Sequence, residues 1–592
     1  MNIPQLFFNK AAELSDKKAL IYKDRASGHW LFLSWKDLAR HVKNLAYYLT
    51  SQSFKKGERV ALLSENRPQW PIADLAILSA GGTNVPLYFT STSSQIEHII
   101  RDSGARKMLI STYEQLEKVI NSPCINYLDE IILFDKTEHT LPKKVTSLSE
   151  ILSNRKEENY SFIDEKIKEI KADDMASILY TSGTTGPPKG VVLSHNNFIF
   201  NANAAAEVIN VTAHDLLLSF LPLSHAFERT AGYYVPLFTG ASIAYAESID
   251  KIAANMLEVK PTIILGVPRF YEKTYAAIEE KISSLSPLKK GIFEWSLNVG
   301  HSYSEKKNKG DQLSLVLKLK NSLADRLVFK ALQEGLGGRM RFFVSGGAPL
   351  SKELTAFFEA AGIIILEGYG LTETSPVITC NRIKSRKKGS VGQALPGVEI
   401  KIEADGEIIT RGPHVMQGYF NNPEKTDEVI KGGWFYTGDI GEIDNDGFLT
   451  ITDRKKDIIV TSGGKNVAPQ SIETRLVSHP LINQVMVYGD RKKYITALIV
   501  PDFIKLEELA NREKISYEST RELCLNKRII DIYLKATEES LKNFAPYEQV
   551  KKVALADEEF SMERGEITPT LKLKRKVLIE KYGKLLEALY EE

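Results

Sequence analysis

The segment from Tyr180 to Leu193, YTSGTTGPPKGVVL, constrains this 592-residue chain more than any other. Thr181, Ser182, Thr184 and Thr185 supply hydroxyls, Gly183 and Gly186 leave backbone N–H groups open to an anion, and Lys189 adds a point charge. These residue types in so short a stretch point to a loop that cradles phosphate; a plain surface turn is the competing reading. Pro188 stands before the lysine, and Gly190-Val191-Val192-Leu193 has the pattern of a strand. The loop therefore joins two strands. In the P-loop of kinases and GTPases, by contrast, a Gly-Lys-Ser/Thr opens a helix.

Around this loop, short apolar runs alternate with amphipathic helical patterns. Arg59–Leu63, Lys107–Ile110, Thr262–Leu265, Leu216–Leu223 and Ile363–Leu366 read as buried strands, and Ser34–Thr50 and Pro68–Ser79 as helices. That rhythm predicts an α/β fold with a large N-terminal domain of α/β layers over residues 1–452. Within it, 281–335 reads as a helical insertion and 389–452 as a small β-rich subdomain, with a hairpin turn at Asp444–Gly447. The polar run 453–457 reads as a linker, and 458–592 as a small, mobile α+β C-terminal domain.

Composition removes several function classes. Lys plus Arg is 77 against 75 Asp plus Glu, so no basic excess exists to hold a nucleic-acid backbone. The three cysteines, Cys124, Cys380 and Cys524, are too far apart for a disulfide framework or a zinc site. The N-terminus lacks the pattern of a secretory signal, and no apolar run is long enough to span a bilayer. A cytoplasmic protein is expected, and composition is compatible with peripheral contact at the inner face of a membrane. The run Lys384–Lys388, KSRKK, reads as a solvated charged loop or as a contact for anionic lipid or the phosphates of coenzyme A.

Further segments stand out in chain order: Ser345-Gly346-Gly347-Ala348-Pro349, Glu367-Gly368-Tyr369-Gly370-Leu371-Thr372-Glu373-Thr374, Tyr436-Thr437-Gly438-Asp439 and Asp453-Arg454. Together with the Tyr180–Leu193 loop they resemble the ordered motifs of the adenylate-forming superfamily. That group includes acyl-CoA synthetases, adenylation domains of peptide synthetases and luciferases. Leu221–Arg229, LPLSHAFER, resembles the gate segment of its long-chain fatty-acid CoA ligases, and Thr568–Arg575, TPTLKLKR, their terminal motif.

The resemblance implies residue roles. Gly346, Gly347 and Ala348 would line an adenine pocket, and Tyr369 would stack on the base within a motif that includes Gly370 and Thr372. Asp439 and Arg454 would bind ribose. Glu373 and Thr184 would hold Mg²⁺ beside the phosphate loop formed by Thr181 to Gly186 and Lys189. His225 would belong to the catalytic gate segment. Lys572 would be the catalytic lysine, with Lys574 as the alternative, because Leu571 stands where most of the superfamily has glycine. Lys456 matches the hinge position. Gly463 and Gly464 would approach the pantetheine of coenzyme A, a plain turn being the other reading.

The activity so implied uses ATP, Mg²⁺ and coenzyme A. A long-chain fatty acid is converted to acyl-AMP with release of pyrophosphate, then passed to coenzyme A. Transfer to a carrier protein, arrest at the adenylate, and a catalytically silent fatty-acid or nucleotide-binding protein are the rivals.

Overall fold

The computed structural model describes residues 1–153, 160–181, 188–308, 310–455, 457–562, 564–568 and 573–591. Two large sheets organise the first two-thirds of the chain. In the eight-stranded sheet, Gly418–Tyr419, Lys189–Ser194, Met175–Thr181, Thr83–Leu87, Arg59–Leu63, Lys107–Ile110, Glu130–Leu133 and Val145–Ser147 lie side by side. The nine-stranded sheet has a parallel centre made of Phe342–Ser345, Ile263–Gly266, Leu216–Ser219 and Ser242–Tyr245. The central strands are short unbroken apolar runs, RVALL, IILG and FFVS, as expected where helices cover both faces.

The helix Gln69–Ser79 is buried on nearly every side. It carries Asp74 into the interior, a carboxylate that needs a partner there.

The run Leu216–Leu223 departs from its sequence reading. Its strand ends at Ser219, ahead of Pro222. The Asn66 side chain takes over the backbone beyond it, donating to Leu221 O at 2.6 Å and accepting from Leu223 N at 3.0 Å. The strand read at Ile363–Leu366 begins at Ile365 and runs to Gly370.

Residues 281–335 contain the helices Pro287–Asn308, Leu315–Ala324 and Lys330–Gly335, with a π-helical turn, Asp325–Phe329, between the last two. Across 389–452 the regular structure is strand apart from one short helix, Pro423–Val429, and is built on the long Trp434–Ile443. At the hairpin turn the Asp444 side chain accepts from the backbone of Asp446 and Phe448. In the KSRKK run Arg386 and Lys388 pair with Glu359 and Lys387 pairs with Asp444, while Lys384, Lys387 and Lys388 stay exposed to solvent.

Beyond residue 458 a three-stranded sheet, Ile482–Tyr488, Thr496–Pro501 and Lys552–Leu555, packs with the helices Pro469–Val477, Phe503–Glu513 and Lys527–Leu541. Ile472, Leu476, Val485, Ile499, Leu506 and Tyr533 give this part a core of its own.

Candidate active site

The strands Met175–Thr181 and Lys189–Ser194 pair antiparallel in a register that sets Thr181 opposite Lys189. The two strands that flank the glycine-threonine loop thus meet at Thr181 and Lys189. Ser182, Gly183, Thr184, Thr185 and Gly186 lie outside the described residues, as do Lys456 and Lys572. The phenol of Tyr180 anchors the first strand by donating to Asp102 at 2.5 Å.

Gly190 is required by packing. A Cβ there would come within 2.6 Å of Ile178 and 3.2 Å of Phe420. The short strand Gly418–Tyr419 can lie against this edge only because that space is free.

That strand delivers Tyr419, a residue the motifs did not single out. Its phenol donates to Glu373 at 2.9 Å, and its ring lies 5.0 Å from the Lys189 ammonium. Burial, then the neighbouring Glu373 charge, raise the phenol far above its ordinary range, so it stays a donor. Glu373 itself sits in a single 3₁₀ turn, Thr372–Thr374. Magnesium is held by one or two carboxylates plus the phosphates of its substrate, and Glu373, with Thr184 as the proposed hydroxyl partner, fits such a hard-oxygen site. Among the described residues no group of three acidic, histidine or cysteine side chains forms a separate metal site.

Three residues from three separate motifs form a second chain of contacts. Tyr369 donates to Asp439 at 2.7 Å, and Arg454 Nε donates to the other oxygen of Asp439 at 3.0 Å. Asp439 and Arg454 reach each other because their strands pair with these two residues in register. Burial first, and Asp439 second, keep the Tyr369 phenol protonated.

The gate segment meets the loop after Phe342–Ser345. Phe227 lies where a Cβ on Gly346 would be 3.1 Å from its ring, and its backbone N–H donates to His225 Nδ1 at 3.1 Å. Beyond it the chain is π-helical from Glu228 to Tyr234. Arg229 is fully buried there. It pairs with Asp74 and donates to Ser177 Oγ at 2.6 Å, while Tyr234 donates to Asp74 at 2.8 Å. A lone acid in the apolar run of Pro68–Ser79 was the available signal for this pair. Burial pushes the neighbouring Glu228 carboxyl up to about 8, and it accepts from Ser219 Oγ at 2.5 Å.

A single cavity of about 2140 Å³ collects most of these groups. Thr181, Lys189, His225, Gly346, Gly347, Ala348, Tyr369, Gly370, Thr372, Glu373 and Arg454 lie on its wall. So do Ile278, Phe293 and Leu332 from the helices around the insertion. Gly463 and Gly464 are not on that wall; they form the turn between Ile459–Val460 and Asn466–Val467. Arg575, the last residue of the terminal motif, donates to Glu473 at 2.6 Å and to Val487 O at 3.2 Å.

Residues 7–420 match the AMP-binding enzyme family, and residues 456–592 match the AMP-binding enzyme C-terminal domain. The long-chain-fatty-acid–CoA ligase FadD15 of Mycobacterium bovis is 34% identical over 584 residues, covering 98% of this chain and 96% of that one. Fatty acyl-CoA synthetase A of Dictyostelium discoideum is 31% identical over 604 residues, covering 96% and 87%. Among solved structures, ATP-bound MatB from Rhodopseudomonas palustris aligns with a TM-score of 0.70 at 25% identity, over 99% of this chain and 100% of that one. The anthranilate CoA ligase AuaEII, in complex with anthranoyl-AMP, shares the fold with a TM-score of 0.73 at 20% identity, over 99% and 98%. The paired strands around the glycine-threonine loop, the Tyr369–Asp439–Arg454 chain and these matches along both parts of the sequence lead to one conclusion: the chain belongs to the AMP-binding enzyme family.

Proposed function

We propose that the chain is an ATP-dependent, AMP-forming ligase that joins a long-chain fatty acid to coenzyme A. The observation that carries this reading is the cavity, polar at Lys189, Glu373 and Arg454 and apolar at Ile278, Phe293 and Leu332. The polar groups suit a nucleotide and the apolar ones an alkyl chain.

A carboxylate is a poor electrophile because its oxygen leaves badly. In the first step the fatty carboxylate attacks the α-phosphorus of ATP, forming a carboxyl O–P bond as the bond to pyrophosphate breaks. Charge grows on the phosphate oxygens, where Lys189, Lys572 and the loop N–H groups stabilise it. Losing one such group costs about 3–4 kcal/mol in the barrier. Magnesium held by Glu373 and Thr184 would neutralise phosphate charge. Tyr369 stacks on adenine beside Gly346, Gly347 and Ala348, and Asp439 and Arg454 hold ribose. In the second step the thiolate of coenzyme A attacks the acyl carbon and AMP departs, so no nucleophile from the protein is needed.

Lys572 and the Gly463-Gly464 turn both belong to the C-terminal part, 458–592. Rotation of that part about residues 453–457, with Lys456 as pivot, exchanges one for the other between the two steps.

Pyrophosphate release across saturated acids of graded length, with and without coenzyme A, tests the reading. Palmitate is expected to be used far better than acetate, with acyl-CoA formed only when coenzyme A is present. Highest specificity for acetate, or adenylate formation with no thioester, overturns it.

A further inference from the structure

The helix Leu315–Ala324 and the turns that continue it carry an apolar stripe turned to solvent. Leu315, Leu319, Leu323 and Leu327 recur every fourth residue and are 78%, 71%, 50% and 52% exposed. Four-residue spacing sets them on one face of a helix. Val316 beside them is 62% exposed, and so is Leu288 at the start of Pro287–Asn308, at 76%. A row of this kind is not the scatter of single apolar residues that any surface shows.

Its surroundings carry more positive than negative charge, the exposed Asp325 being the acid within the stretch. Lys318 and Lys320 are exposed on the same helix, which contains no acidic residue. Lys289 and Arg326 are exposed beside Leu288 and Leu327.

The stripe also reaches the cavity. Leu327 and Lys289 are exposed, yet both lie on the wall of the cavity that is also lined by the nucleotide motifs. The cavity wall and the apolar stripe therefore share Leu327.

We propose that this face docks on a lipid bilayer bearing anionic headgroups, and that fatty acid passes from the bilayer into the cavity beside Leu327. The second half rests on the ligase reading. Apolar side chains flanked by lysines match a helix lying in the plane of the headgroups, where buried apolar area and attraction to anionic lipid act together. No described helix is long and apolar enough to cross a membrane, so contact is on the surface.

The test uses the full chain without ATP and two sets of vesicles, one of phosphatidylcholine alone and one mixed with phosphatidylglycerol. The protein is expected to co-sediment with the mixed vesicles and much less with the neutral ones. The triple substitution Leu315→Glu, Leu319→Glu and Leu323→Glu should abolish co-sedimentation. The pair Lys318→Ala and Lys320→Ala should weaken binding to anionic vesicles by about tenfold or more and leave the neutral ones unaffected. Both variants should release pyrophosphate from dissolved dodecanoate at the wild-type rate, and the triple variant should lose about tenfold with palmitate delivered in vesicles. Three results overturn the proposal. One is a wild-type chain that stays in solution, another a triple variant that sediments like wild type, and the third a wild-type dimer that the leucine substitutions dissociate. Wild-type protein that binds vesicles yet activates no dissolved acid would sink the ligase reading and leave the docking surface standing.

Discussion

Tyr419 and Lys189 meet across paired strands, and the phenol of Tyr419 donates to Glu373. Tyr419→Phe keeps the ring beneath the lysine and removes only the hydroxyl. A hydrogen bond to a charged group contributes about 1.5–3 kcal/mol, so pyrophosphate release should fall roughly tenfold or more. The magnesium concentration for half-maximal rate should rise as well, while the KM for fatty acid stays level. A variant with wild-type magnesium dependence would remove Tyr419 from the site. Glu228 makes a different prediction, about pH. Its carboxyl ordinarily titrates near 4.5 and in the fold is pushed to about 8 by burial. Between those values the native state holds a proton that the unfolded chain has released, so this group's contribution to stability falls as pH rises through that window. Glu228→Gln carries no such proton. Urea denaturation from pH 5 to pH 8 should show wild type losing stability relative to the variant as pH rises. A constant difference would mean that Glu228 is ionised throughout.

The helix Gln69–Ser79 and the π-helical turn Glu228–Tyr234 are joined in the interior by Asp74 and Arg229. Breaking a buried pair by removing one charge costs about 3–5 kcal/mol, because the other is left without its counter-ion. Asp74→Asn should therefore destabilise the protein by about that much in chemical denaturation. Asp74→Leu combined with Arg229→Met should recover most of it; a single variant within about 1 kcal/mol of wild type would mean that water or another group compensates. This coupling also marks where sequence reading stops. Central strands such as Arg59–Leu63 and Lys107–Ile110 were legible because both faces are covered and the apolar run is unbroken. The motif loops were legible because glycine, hydroxyl and charge are needed together. Gly418–Tyr419 has only two residues, no period and a partner strand more than two hundred residues away, so nothing local announces it. Leu216–Leu223 looked like one strand because apolar content does not show that Asn66, far upstream, captures its second half. A π-helical turn has no periodic signature of its own, and the partner of Arg229 lies 155 residues back along the chain.

At the scale of the molecule, the C-terminal part has its own core and touches the rest through contacts such as Arg475–Glu353 at 3.5 Å and Arg269–Asn483. Exposed pairs of this kind hold weakly, which suits a part that turns. If residues 453–457 are the pivot, Lys456→Pro should spare most adenylate formation and depress transfer to coenzyme A far more, since proline holds φ near about −65°. Lys456→Ala is the control. Equal retention of both steps in the proline variant would exclude the pivot. The cavity has a consequence of another kind. Polar and apolar groups line one space, and exchange of AMP for a thiol alters the carboxyl end of the acid and not its tail. The acyl chain that secured the first step is therefore still held after the last. Each buried methylene contributes up to about 0.8 kcal/mol, nearly fourfold in residence time if none of it is lost before departure. Lengthening the acid should thus raise kcat/KM and lower the ceiling on turnover, until a first round of thioester forms as a burst and each later round waits for the tail to withdraw.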